Sequence, residues 1–129
     1  MSYVSVERFD GREGSPHVCM GRIQGIGATN ITQASITSIT CNVFDLSGDT
    51  PDTAETTPTV TVATSVYDTL QTDGMWTKDT TGYNFAFTVP ASSFSTGDHT
   101  YWIEFTFQPT SGDSYTQPYC VYAAPIRSS

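Results

Sequence analysis

With 129 residues and 14.0 kDa, the chain has room for one hydrophobic core and none for a second. Charged residues reach only 14% and aromatics 12%, a balance that argues against disorder. The formal charge of −8 repels phosphate backbones and anionic headgroups, so nucleic acid and membrane are not expected partners.

Residues 1–15 (MSYVSVERFDGREGS) are polar and irregular and read as an extended N-terminal arm, with one domain over residues 16–129. The arm has no basic stretch leading into an apolar core, so no signal peptide is expected. Residues 17–24 (HVCMGRIQ) form a first strand, with Val18 and Met20 on one face and Cys19 and Ile23 on the other. GIGATN (25–30) is a turn, and ITQASITSITCNVF (31–44) places Ile39, Cys41 and Val43 on one face of a second strand.

Residues 45–58 (DLSGDTPDTAETTP) read as an acidic loop broken by two prolines and a glycine. TVTVA (59–63) reads as a short β-branched strand reaching towards Val66 and Tyr67, and residues 68–81 as a loop around the Asp73-Gly74 turn. Tyr83, Phe85, Phe87 and Val89 then alternate without a break, as do Tyr101, Ile103, Phe105 and Phe107. A Ser-Gly hairpin at 111–112 leads to a last strand carrying Tyr119, Val121 and Ala123.

Between the two aromatic strands lies VPASSFSTGDH. Pro90 cannot donate to a ladder and ends the first strand, ASSF makes one helical turn with Phe94 turned inward, and Thr96-Gly97-Asp98 reverses the chain. Such a detour carries a strand from one sheet to the other, and Tyr101 is placed as a tyrosine corner. The expected fold is all-β: a single immunoglobulin-like antiparallel β-sandwich of about seven strands, with a jelly roll as the alternative.

The order of elements, with G-Y-N-F-A-F-T-V-P (82–90), a turn ending in T-G, an aromatic strand with Glu104 and a final S-G hairpin, resembles the immunoglobulin-like modules of tailed-bacteriophage virion proteins. Among these are the N-terminal module of baseplate upper proteins and small proteins encoded beside phage structural genes. The likeness covers roughly residues 16–124 and rests on fold motifs: Gly82, Val89-Pro90, Thr96-Gly97 and Ser111-Gly112. It implies virion structure and supplies no catalytic residue. Baseplate proteins of that type continue into further domains, whereas a compact sandwich, an N-terminal arm, high Thr and Ser content and no catalytic set suit a capsid decoration (cement) protein, assembled in the host bacterial cytoplasm, which is the expectation. It would bind the major capsid protein or other virion structural proteins and be oligomeric in the virion. The alternatives are a neck, tail or baseplate adaptor, and a carbohydrate- or receptor-binding module stacking sugars on Trp76 and Trp102.

The residues assemble no catalytic set, and neither enzyme activity nor a cofactor or metal is expected. His17 and Cys19 share a strand face but lack further ligands at zinc spacing. Asp45, Asp49 and Asp52 lack the terminal bidentate Glu of a calcium loop and read as a solvated loop. GIGATN precedes no helix and is no phosphate cradle. No nucleophile elbow accompanies His17 or His99, and Glu104 reads as facing solvent rather than pairing with Asp98 for glycoside hydrolysis. Asn30-Ile31-Thr32 matches a glycosylation sequon, read as chance. Cys19, Cys41 and Cys120 read as small buried thiols, with a Cys41–Cys120 bridge open if their strands face each other.

The interface candidates lie elsewhere. Tyr3, Val4, Val6 and Phe9 supply apolar contacts along the arm, and Arg8 and Arg12 supply charge for a neighbouring subunit; the alternative is that the arm packs on its own domain. Met75 and Trp76 sit on a loop, either as an interface anchor or as a cap on the sandwich end. Trp102 faces outward if Tyr101, Ile103 and Phe105 fill the core.

Overall fold

Each alternating run has one apolar face to bury, and two sheets laid face to face bury them all at once. The computed structural model describes residues 7–25 and 29–126. Its strands are β1 (Glu7–Arg12), β2 (His17–Gly21), β3 (Ile36–Asp45), β4 (Ala54–Thr56), β5 (Val66–Gln71), β6 (Tyr83–Val89), β7 (His99–Pro109) and β8 (Tyr115–Ala124). One sheet has the order β1-β8-β7-β3-β4 and the other β2-β6-β5. Strands β8-β7-β3-β4 facing β2-β6-β5 form the G-F-C-C′ and B-E-D layers of an immunoglobulin-like sandwich, not the pairing of a jelly roll. The ladders are antiparallel except β1 with β8, which is parallel.

The core is aromatic. Phe85 of β6 meets Phe105 and Phe107 of β7 edge to face, with centroids 5.0 and 5.2 Å apart. These three rings, Ile103 and Tyr101 have no exposed surface, while Phe87 is half-buried and packs on Phe105 at 5.8 Å. The corner between β6 and β7 is built as its residues require. Ala91–Phe94 makes one helical turn, and buried Phe94 stands perpendicular to Tyr101 at 5.3 Å. The Tyr101 hydroxyl accepts from the Thr96 amide (3.1 Å) and donates to the Thr96 carbonyl (3.4 Å). Asp98 takes φ 61°, a conformation Asp tolerates better than most residues. A side chain at Gly97 would lie 2.8 Å from Pro125, so the chain passes there only as glycine.

Three segments depart from the expectations. The described part of the expected arm is strand β1, held by its ladder to β8 and, through the following turn, by Glu13 N–H to Ala124 (3.0 Å) and Gly14 N–H to Phe94 (2.6 Å). Alternation missed it because the core-facing residue after Phe9 is Gly11, where a Cβ would already sit 3.0 Å from Val121. The TVTVA segment is not a strand: Val62–Ser65 is a one-turn helix, α1, and the strand follows at Val66–Gln71. Here the chain crosses between layers with little ladder to join, and the turn sets Val62 and buried Val66 on one side against the core. The acidic loop contains β4, three residues long.

The cysteines are buried and free. Cys41 faces the core beside Phe105, whereas Cys120 pairs with Trp102 on the outer side of the same sheet. A Cys41–Cys120 bridge is therefore ruled out by the sheet that separates them. Asn84, buried at 1% exposure between aromatic neighbours, clamps the chain after β2. It accepts from the Ile23 amide (2.7 Å) and donates to the Ile23 carbonyl (2.9 Å).

Tyr101→Phe keeps the ring and removes only the corner's hydroxyl. It is expected to lower stability by about 1 kcal/mol, seen as a lower urea midpoint with an unchanged slope.

Candidate functional site

The segment joining β5 to β6 (residues 72–82) has few apolar residues to hold it, yet two carboxylates fix its shape. Asp79 Oδ1 accepts from Trp76 Nε1 (2.9 Å) and from the amides of Thr81 and Gly82 (3.0 Å each), and Oδ2 meets Arg22 Nη1 at 2.9 Å. The Trp76 indole N–H above all, then the Gly82 amide and Arg22, hold the Asp79 carboxyl far below the usual carboxylate range. Asp73 accepts from the Met75 amide (3.1 Å) and from the Tyr83 hydroxyl (2.6 Å). Burial, and then the Asp73 carboxylate, push the Tyr83 phenol up to about 12. The loop ends at Gly82 with φ +106°, where a Cβ would fall 2.5 Å from the Gln71 carbonyl oxygen.

This frame presses the Trp76 ring on Tyr83 at 5.6 Å and turns Met75 outward, 60% exposed. Between the loop and the two strands opposite it lies a groove of ≈ 500 Å³, lined by Phe9 of β1, His17, Val18 and Met20 of β2, and Met75–Lys78 of the loop. Phe9 bridges the wall, with its ring 5.1 Å from His17 and 6.2 Å from Tyr119. His17 Nε2 is buried with no hydrogen-bond partner among the described residues, and desolvation lowers the imidazole's pKa from its usual value. The groove is shaped to receive apolar side chains. Among the described residues that line it, no set of groups is arranged to activate a nucleophile.

Of the expected interface residues, the fold brings Phe9, Met75 and Trp76 together in this groove. Trp76 is the scaffold and Met75 the projecting tip. Arg8 and Trp102 sit elsewhere, in one row with Cys120 across the outer face of the five-stranded sheet, and Arg12 lies further along β1. Trp102 is half-buried rather than exposed, because its Nε1 donates to Glu104 Oε1 (2.9 Å) and Phe44 and Cys120 flank it. Tyr3, Val4 and Val6 lie outside the described residues.

The other sequence candidates resolve simply. Asp45 is not part of a solvated loop. It is buried, with its two oxygens 2.7 and 3.0 Å from His99 Nδ1, and it accepts the Ser47 amide (3.0 Å), so it ties the end of β3 to the start of β7. Glu104 is half-buried, spending one oxygen on Trp102, and stands about 20 Å along the strand from Asp98 at ~3.3 Å per residue, beyond the reach of a glycosidase pair. Gly25 closes the GIGATN turn with its amide on Thr29 (2.9 Å). Among the described residues no three His, Cys, Asp or Glu gather to hold a metal ion. Sequence reading missed Val18, Met20 and Lys78 as groove residues and Asp79 as the pin. The only hint was Asp79 ahead of a Thr-Thr-Gly turn, where an Asx bond is common.

Nothing matches the chain in comparisons with protein-family models, curated proteins and solved structures.

Two outcomes follow from these environments. His17 folded binds its proton less readily than His17 unfolded, so stability should fall as pH drops below about 6.5, the ordinary imidazole value. His17→Phe removes the orphaned nitrogen and is expected to melt higher at pH 5 than the native protein, with a smaller gap at pH 7.5. In a Trp102→Phe background, Asp79→Ala should shift Trp76 fluorescence to the red and raise its quenching by iodide, because the ring loses its pin while the core stays intact.

Proposed function

We propose that this chain is a non-enzymatic structural protein that seats another protein against the groove. Its setting, on this reading, is the virion of a tailed bacteriophage, where it decorates the capsid by binding the major capsid protein. The observation that carries the interaction is Met75, held in water at the tip of a loop already fixed by Asp73 and Asp79. Phe9, Val18 and Met20 lie beside it in the groove wall, so the exposed methionine belongs to a contiguous apolar surface, and a pre-ordered tip loses little entropy on docking. Methionine also adapts its shape to the surface it meets.

The virion setting draws on the resemblance of the corner and hairpin motifs to phage modules. The net charge of −8 suits a protein displayed in many copies, since like charge keeps free copies apart until each finds its site. Repetition over a symmetric shell lets modest contacts add up through avidity. A neck, tail or baseplate adaptor would use the same surface at far lower copy number. Sugar stacking has less support: Trp76 packs on Tyr83 and Trp102 is half-buried.

Capsids assembled with and without the protein provide the test. Hundreds of bound copies and a raised disruption temperature are expected, with attachment lost in Met75→Glu. A dozen copies or fewer would move the protein to the tail. No bound copies and unchanged heat resistance would remove the virion reading altogether.

A further inference from the structure

The loop that presents Met75 turns on one dipeptide, Asp73-Gly74. Asp73 holds the turn in three ways. Its carbonyl accepts from the Trp76 amide (3.1 Å), its Oδ1 from the Met75 amide (3.1 Å) and its Oδ2 from the Tyr83 hydroxyl (2.6 Å). The Oδ1 bond spans the Gly74 peptide, so the carboxyl is folded back over the amide that lies between. Both residues are exposed, and the Gly74 N–H donates to nothing among the described residues. The fold does not require glycine there: its φ is not positive, and a Cβ would meet no atom within 4 Å beyond its chain neighbours.

We propose that Asp73-Gly74 is a site of spontaneous isomerisation in the native protein, and that isoaspartate at position 73 releases the loop from its frame. The Gly74 nitrogen gives up its proton to solvent and bonds to Asp73 Cγ. The carboxyl, protonated from solvent, loses one oxygen as water, and a cyclic imide remains. Nothing is oxidised or reduced, and water is the only other reactant. Water then reopens the ring. Addition at Cγ restores aspartate; addition at the former main-chain carbonyl leaves isoaspartate, with the main chain routed through Cβ and Cγ.

The chain's other Asp-Gly pair shows what the reaction requires. Asp10-Gly11 lies in β1, where the ladder to β8 keeps the backbone extended and a Cβ at Gly11 would already sit 3.0 Å from Val121. Closing the ring there means leaving the ladder first. At Asp73 no ladder stands in the way, but the product cannot keep the turn. The main chain gains a carbon, so the acceptors for the Met75 amide, the Trp76 amide and the Tyr83 hydroxyl move off their positions. Asp79 still holds the Trp76 indole, so the loosening falls on the turn and on Met75. The reaction is independent of what the groove binds; only its consequence, loss of docking, rests on Met75 being the contact.

The full chain, aged for weeks at physiological temperature and neutral pH, tests this. Peptide mapping, with electron-transfer fragmentation to tell isoaspartate from aspartate, should find isoaspartate at Asp73 and little at Asp10. In urea the two sites should converge. Gly74→Ala should slow the reaction about tenfold with an unchanged melting temperature, because the added Cβ shields the amide and meets nothing else. In the separated isoaspartate fraction the Met75 and Trp76 amides should exchange faster, while those of β6 and β7 do not. Absence of isoaspartate from Asp73, equal amounts at Asp10 in the folded chain, or an undiminished rate in Gly74→Ala would each overturn the site. Unchanged exchange at Met75 and Trp76 would overturn the release. If the loosened fraction binds capsids as well as fresh protein does, docking through Met75 falls and the isomerisation stands. If no isoaspartate forms while Met75→Glu detaches the protein from capsids, the reverse holds.

Discussion

The meeting of Phe85 with Phe105 and Phe107 is the contact on which the rest of the molecule depends. These rings belong to consecutive strands in sequence but to opposite layers, so burying them forces the chain to change sheets between β6 and β7. Pro90 stops the first ladder, Phe94 fills the gap, and Tyr101 ties the turn back to Thr96. A hairpin, the cheaper connection, would put both aromatic faces on one sheet and leave the other layer without a core. Topology here follows from where large side chains must go.

The groove inherits its geometry from the same core. Tyr119, fully buried and edge-on to Phe105 at 5.6 Å, extends its hydroxyl to Met20 and fixes β2 relative to β8. Phe9 packs on Tyr119 from β1, so the groove wall continues the core outward rather than being laid over it. The loop opposite is held differently, by carboxylates accepting from the indole, the backbone and Arg22. An apolar wall faces a polar frame, and Met75 is the one large apolar side chain that the frame leaves in water.

What could be read from the sequence was whatever repeats at a period of two. Strands β3, β6, β7 and β8, the corner and the hairpin follow from alternation, Pro90 and glycine positions, because burial leaves that trace directly in the chain. Strand β1 left none: it is held by backbone bonds to β8, and Gly11 follows Phe9 on its core side. The one-turn helix α1 was obscured by valines whose β-propensity has little ladder to join. For the groove, Phe9, Met75 and Trp76 stood out as large apolar residues in polar surroundings. That they converge depends on pairings over many residues, such as Arg22 with Asp79, which no local pattern encodes. Trp102 stood out for the same reason, and the fold places it on another face beside Arg8 and Cys120.

The burial of the cysteines has a practical side. Burial pushes the Cys41 thiol up to about 12 and the Cys19 thiol higher still, and Cys120 is covered on the outer face, so the native protein offers alkylating reagents no ready thiolate. Position 75, by contrast, stands in water at the rim of the groove. A cysteine placed there would be the sole reactive sulfur among the described residues. A fluorophore or photo-crosslinker could then be attached at the groove's edge without removing a native residue from the core.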